Sequence, residues 1–349
     1  MFKSVESVTQ GQSDKICDQI ADAIVDEYLR RDPQARVDIN VLGAHGMMMV
    51  GGEVTSLADF DCGALAKKVY KEIGYDDELE VFVNIEQQSE EMQKVKSRVS
   101  DTVIVNGYAT SETREFLPRP LVFAHALARR LDDLRKTNPE FFWLLPDGKV
   151  QLVMDKDKVK VVTILASHKD NIDEHQVQSA ILERVVAPIV GDESAQIHIN
   201  PIGAFTKPGF QSDAGASGHC PAIDTYGGLI PQADVNLSGK DPWKAERAGT
   251  YMTRFVAKYL VEQGLCSSAL VQLAYTLGRS EPVAVQVFGT TDKSRGAKLD
   301  LTNLVKKDFD FRPEAIVEKL KLLTPIYRET AVYGHFGRFG FPWEAKNTK

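Results

Sequence analysis

Asp14-Lys15-Ile16-Cys17-Asp18-Gln19-Ile20-Ala21-Asp22-Ala23-Ile24-Val25-Asp26-Glu27-Tyr28-Leu29-Arg30 sets Ile16, Ile20, Ala23, Ile24 and Leu29 at helical spacing, the apolar stripe that one face of an α-helix buries. Asp32-Pro33 ends the pattern, and two β-like runs follow, Val37–Leu42 and Met47–Val54. A second helical stretch, Asp61–Ile73, completes the unit. The order recurs: Val122, Phe123, Ala126, Leu127, Leu131 and Leu134 mark a helix, Val150–Met154 and Val159–Leu165 a hairpin, and Gln176–Val190 a helix. It recurs again with Met252, Phe255, Val256, Tyr259 and Leu260 on one helical face, strands at Leu270–Thr276 and Val283–Phe288, and a helix at Pro313–Leu323.

Helix, hairpin, helix at this long period predicts an α+β fold of three pseudo-repeated subdomains, each a mainly antiparallel sheet covered by helices on one face. Solenoid repeats are far shorter. The subdomains are expected near 1–116, 117–232 and 233–349 of one compact unit, with the N-terminal segment and last strands free to exchange between them. The stretches at the breaks, Leu117–Pro120 and Gly227–Lys240, are too short to be tethers. Three such sheets have to bury their faces together or against a second chain.

Composition narrows the function. The 349 residues carry 42 Lys and Arg against 49 Asp and Glu, a net charge of −7, and a mildly acidic chain without a basic run is a poor nucleic-acid surface. Any cations that matter have to be gathered locally. No apolar run approaches the roughly 18 residues of a membrane span, and the start lacks a secretory pattern, so a cytoplasmic protein without membrane attachment is expected. Cys17, Cys62, Cys220 and Cys266 show no CxxC spacing, which predicts buried or half-buried reduced thiols.

GxGxxG and P-loop signatures are missing, and Gly215-Ala216-Ser217-Gly218-His219 lacks the GxSxG elbow of a nucleophilic serine. Two polar segments carry more. Gly11-Gln12-Ser13-Asp14-Lys15 opens the first helix, where backbone N–H groups favour an anion and Asp14 could hold a divalent cation; the plainer reading is N-capping by Ser13. Ser238-Gly239-Lys240-Asp241-Pro242-Trp243-Lys244 offers two cations four residues apart at a helix start, a spacing that can put both on one face; the plainer reading is solvated lysines.

These segments, together with Glu6-Ser7-Val8, Gly51-Gly52-Glu53-Val54-Thr55, Asn200-Pro201, Asp224-Thr225-Tyr226-Gly227-Gly228 and Ala331-Val332-Tyr333-Gly334-His335-Phe336-Gly337-Arg338, resemble the S-adenosylmethionine synthetases in order and across nearly the whole chain. The resemblance implies a methionine adenosyltransferase in which methionine sulfur attacks C5′ of ATP and expels triphosphate, which is then hydrolysed to pyrophosphate and phosphate. Sulfur needs no general base, so cations and Mg2+ around the triphosphate carry the chemistry. By the resemblance, Lys149, Lys240 and Gln12 are the catalytic positions and Asp14 the magnesium ligand. Asp147, Lys149, Phe205, Asp213, His219, Cys220, Asn236, Lys240 and Leu277 fall at nucleotide positions, with Phe205 and Leu277 on the two sides of adenine. Glu53, Gln88, Asp101, Asp213 and Lys244 match positions that handle methionine. The partners so implied are ATP, L-methionine and a second copy, as a homodimer or dimer of dimers with shared sites.

Departures from the family pattern gather where triphosphate would lie. Gln12 stands in place of a histidine, and His219 and Cys220 in place of an Arg-Lys pair, removing charge-assisted contacts worth roughly 1.5–3 kcal/mol each unless Lys207, Arg98 or protonated His219 substitutes. Asn40 replaces an acidic ligand of K+, which weakens any potassium dependence. Glu246 for Asp is mild. The loop Arg98-Val99-Ser100-Asp101-Thr102-Val103 departs from a Gly-rich family stretch, the lid before it is about eight residues shorter, and Ala233-Asp234-Val235-Asn236 adds an acidic residue. Alternatives therefore stay open: a homologue with another nucleophile, one lacking triphosphate hydrolysis, or a non-catalytic regulatory paralogue.

Overall fold

The computed structural model describes residues 2–93, 95, 99–191, 194–231, 235–290 and 300–346, so Arg98, Ala233 and Asp234 lie outside the described residues. Strand β1 (Phe2–Val8) precedes a first repeat of α1 (Ser13–Arg31), β2 (Arg36–Ala44), β3 (Met47–Thr55), α2 (Cys62–Ile73) and β4 (Glu80–Gln87). Through α3 (Glu90–Gln93) and β5 (Val103–Thr110) the chain enters a second: α4 (Arg119–Thr137), β6 (Leu144–Asp155), β7 (Lys158–His168), α5 (Glu174–Ile181), α6 (Ala187–Val190) and β8 (Gln196–Ile199). After β9 (Gly215–Ala216) and α7 (Pro221–Asp224) comes the third: α8 (Ala245–Glu262), β10 (Ser268–Tyr275), β11 (Ala284–Thr290), α9 (Leu301–Asp308) and α10 (Pro313–Leu320), closed by α11 (Tyr327–Thr330).

Three sheets result, ordered β4-β3-β2-β9, β1-β6-β7-β8 and β11-β10-β5. Each is built on one hairpin, and beside its first strand lies an antiparallel strand from elsewhere in the chain: β9 on β2, β1 on β6 and β5 on β10. In the first two, the strand after the second helix adds parallel to the second hairpin strand, β4 on β3 and β8 on β7, as a helical crossover allows. The expected mainly antiparallel α+β architecture is present. Its hairpins were legible because they alternate; β1, β4, β5 and β8 were not, since they are completed by distant partners.

Packing explains where elements depart from the sequence reading. Helix α8, expected to bury one face, is buried all round from Ala245 to Val261. Its long cationic side chains each find an acid or carbonyl inside the protein: Arg247 donates to Asp22 (2.7 Å), Arg254 to Glu344 (2.8 Å) and Lys258 to the Glu344 carbonyl (2.6 Å). Lys258 also donates to the Ala345 carbonyl at 2.9 Å. The single helix expected over Gln176–Val190 is interrupted by a π turn at Leu182–Val186, just ahead of Pro188, which has no N–H to continue the ladder. The helix expected to reach Leu323 stops at Leu320, where Lys321 turns left-handed (φ +51°).

One apolar core joins the first and third repeats, including Ile20, Val37, Met252, Leu273 and Trp343, and a second lies within the middle repeat around Leu131, Leu152, Ile164 and Ile181. On β2, Val37, Ile39 and Val41 face this core, leaving Asp38, Asn40 and Leu42 on the other face. Register extends that face across the sheet: Asp38 opposes Glu53, which opposes Glu86, while Leu42 opposes Met49, which opposes Phe82. The face is thus acidic at one end and apolar at the other.

Candidate active site

The acidic end is completed by the segment leading into α8. Gly239 bonds β2 through its carbonyl and the Ile39 N–H (2.9 Å), and Asp241 accepts from the Val37 (2.7 Å) and Trp243 (2.8 Å) N–H groups. Lys240 and Lys244 therefore precede the helix. They do not share a helical face, because the turn sends Lys240 to Glu246 and Lys244 to Asp38, each at 2.8 Å. Burial alone would lower the Lys244 ammonium, but Asp38 and Asp241 override it and raise its pKa. Beside them Gln88 donates to Glu53 (3.2 Å) and accepts from Thr55 (3.1 Å). A cleft of about 810 Å3 opens here, lined by Arg36, Thr55, Gln88, Met92, Trp243 and Lys244. Glu53, Gln88 and Lys244 are brought into one neighbourhood.

A second cluster forms at the start of α1. Gln12, not Ser13, caps the helix: its Oε1 accepts from the Lys15 N–H (3.2 Å) while its Nε2 donates to Asp14 (3.1 Å). Asp14 sits in the first turn, where the helix dipole favours a carboxylate. Its Oδ1 accepts from the Ala216 N–H (3.0 Å) and faces His219 Nδ1 (3.3 Å), and its Oδ2 faces Cys220 Sγ (3.4 Å). That approach needs Gly215, where a Cβ would lie 2.2 Å from the Ser13 backbone. Behind Asp14, buried Lys15 pairs with Asp18 (2.8 Å) and with Asp224. Burial would lower its pKa, but the two carboxylates hold it above the usual lysine value. Gln12, Asp14, His219 and Cys220 are thus contiguous; Asn236 abuts them at Gly218, where a Cβ would meet its side chain at 2.2 Å.

A third group surrounds the loop after β8. Asp147 on β6 accepts from the Gly209 N–H (2.8 Å), and burial pushes its carboxyl up to about 6. The Asp213 N–H donates to the Gly209 carbonyl (3.1 Å), and Phe205 is fixed by His168, whose Nε2 accepts its N–H (3.3 Å). Lys149 pairs with Glu6 across β1 and β6 (2.8 Å). Leu277 lies elsewhere, half exposed, its N–H donating to Thr102 (3.2 Å), next to Asp101. Phe205 and Leu277 are carried by different parts of the fold, and Asn40 is exposed on β2. Glu6, Asp18, Asp38 and Asp224 were missed as site residues. Asp18 was findable, one helical turn from Asp14 on the same face; Asp38 and Glu6 needed the strand register.

These features define an α+β protein of three interlocked sheets whose polar side chains gather where α1 and α8 begin. The chain belongs to the S-adenosylmethionine synthetase family: residues 1–101 match that family's N-terminal domain, 96–205 its central domain and 208–345 its C-terminal domain. The S-adenosylmethionine synthase of Petrotoga mobilis is 39% identical, covering 99% of this chain and 96% of its own length. That of Sorangium cellulosum is 40% identical over 97% of this chain and 86% of its own, and that of Thermus thermophilus 39% over 97% and 94%. No described helix is long and apolar enough to cross a membrane.

Proposed function

We propose that this chain makes S-adenosylmethionine from ATP and L-methionine. The sulfur lone pair forms the bond to C5′, the C5′–O bond breaks, and triphosphate leaves with its electron pair, then takes up water to give pyrophosphate and phosphate. The observation that carries this reading, beyond family membership, is that Glu53, Gln88 and Lys244 meet beside one cleft with the carboxylate and ammonium chemistry an amino acid requires. Asp101 and Asp213 complete the methionine set in this reading. Lys149 and Lys240 bind the triphosphate charge, Gln12 donates to its bridging oxygen, and Asp147, Phe205, Asp213, His219, Cys220, Asn236 and Leu277 hold the nucleotide.

The donor chemistry around Asp14 fits Mg2+, which takes one or two carboxylates and fills the rest with waters and substrate phosphates. Asp14, Asp18 and Asp224 stand against a single ammonium, Lys15, a local deficit of positive charge. When bound, the ion neutralises triphosphate charge. Asn40 offers only a neutral amide, so no potassium requirement is expected through it.

We further propose a cytoplasmic homodimer or dimer of dimers. Its support is the exposed apolar end of the first sheet, Leu42, Met47, Met49 and Phe82, and the separation of Phe205 from Leu277, which a second copy would resolve. A second reading, adenosyl transfer without triphosphate hydrolysis, is favoured by His219 and Cys220 lying against Asp14. Mass spectrometry of products from Mg2+, ATP and methionine decides. S-Adenosylmethionine with pyrophosphate and phosphate supports the first reading, intact triphosphate the second, and no product overturns both.

A further inference from the structure

Away from these clusters, a cleft of about 760 Å3 opens where α1, α4 and the chain after α11 meet. Three arginines line it, Arg129, Arg328 and Arg338, in a chain whose net charge is −7. Arg328 pairs with Glu72. The other two have no carboxylate within ion-pair distance among the described residues. Arg338 donates to the Val332 (2.7 Å) and Glu329 (2.5 Å) carbonyls and lies over the Phe341 ring at 4.5 Å; exposed Arg129 lies over the Tyr333 ring at 5.1 Å.

Both guanidiniums are anchored on aromatic faces, and each acts electrostatically on the other. Burial first, then the neighbouring Arg129, depresses Arg338 to about 10. Two like charges held together at the mouth of a cleft, one of them mostly buried, raise the energy of the empty site, and an anion between them relieves it. The floor is rigid: Tyr333 holds a left-handed backbone (φ +56°), and its hydroxyl donates to buried Asp132 (2.7 Å) and accepts from Gln10 (3.1 Å). Of the two carboxylates on the rim, Asp26 has both oxygens engaged by the Tyr327 and Arg328 N–H groups (2.9 Å each), so it does not reach for the arginines as an ion-pair partner.

We propose that Arg129 and Arg338 form an anion site for a phosphate group, either free phosphate or pyrophosphate or the phosphate of a nucleotide. The forked donors of Arg suit phosphate oxygens.

The test titrates the full-length protein calorimetrically with inorganic phosphate, pyrophosphate and AMP, in wild type, Arg129→Glu, Arg129→Lys and Lys149→Ala. Arg129 is exposed, so its variants keep the fold, and a circular dichroism melt checks this. The expected result is a phosphate or pyrophosphate binding event weakened at least tenfold by Arg129→Glu, restored in part by Arg129→Lys and retained in Lys149→Ala. AMP binding tighter than phosphate identifies a nucleotide as the source, and equal affinity identifies the free anion. Crystals soaked in tungstate should show an anomalous peak between Arg129 and Arg338. Equal binding by wild type and Arg129→Glu, loss only in Lys149→Ala, or a peak only elsewhere overturns the proposal.

Discussion

The two ends of the candidate site treat charge in opposite ways. At the start of α8 each ammonium has its own acid, Lys244 with Asp38 and Lys240 with Glu246. At the start of α1 the ammonium of Lys15 is buried and spent on Asp18 and Asp224, so that among the described residues Asp14 is faced by an amide, an imidazole, a thiol and a backbone N–H. The α8 end can exchange an internal ion pair for a zwitterionic ligand with little change in net charge. The α1 end cannot accept an anion without importing a cation. In the proposed reaction this assigns methionine to the first and magnesium triphosphate to the second.

The largest effect expected is on the fold. Lys15→Met leaves Asp18 and Asp224 buried without their cation, which should cost about 3–5 kcal/mol in urea unfolding. Lys244→Met should cost far less, because Asp38 is partly solvated. Equal losses would erase the distinction between the ends.

Catalysis should separate them further. Lys149→Ala removes a half-exposed lysine paired with Glu6, so it should leave the unfolding midpoint nearly unchanged while slowing adenosyl transfer roughly 100-fold, the scale of one lost electrostatic contact to a leaving group. Activity surviving intact would show that Lys149 does not touch triphosphate. At the α8 end, Lys244→Ala should raise KM for methionine by roughly tenfold more than KM for ATP, as loss of one charge-assisted contact predicts. The reverse split would exchange the two assignments.

The contrast can also be reversed by design. His219→Arg with Cys220→Lys places two permanent cations beside Asp14, and triphosphate binding measured without magnesium should tighten on the order of tenfold. Unchanged affinity would mean that this side of α1 does not face phosphate.

What the sequence made legible follows from how local each signal is. Helix α1 and the hairpins write their periods into consecutive residues, so both type and place could be read. The strands that lock the sheets together could not: β1 pairs with β6, whose partner residues in the register lie more than 140 positions away, and nothing in Phe2–Val8 names that partner. Similarly, Asp14 and Lys244 were marked by motifs, whereas Asp38 became a site residue only through the register that sets it opposite Glu53. The spacing of Lys240 and Lys244 allowed one helical face or solvated lysines, and neither is found, because spacing alone does not reveal that Asp241 binds β2 and forces a turn first.

A further effect, read on stability and not on catalysis, concerns the loop after β8 that carries Phe205 and Asp213. Burial holds the Asp147 carboxyl near 6, above the value of about 3.9 expected in an unfolded chain. Between these values the folded protein binds the extra proton, so this group stabilises the fold less as pH rises from about 4 to about 6 and contributes a constant penalty above. Asp147→Asn should remove that slope, changing the difference in unfolding free energy between wild type and variant by about 3 kcal/mol across the window and little from pH 7 to 8. The amide can keep accepting from the Gly209 N–H, so Phe205 and Asp213 should stay placed. A slope of opposite sign would mean that hydrogen bonding to the carboxylate outweighs burial, and that this loop, like the α8 end, is held by charge rather than in spite of it.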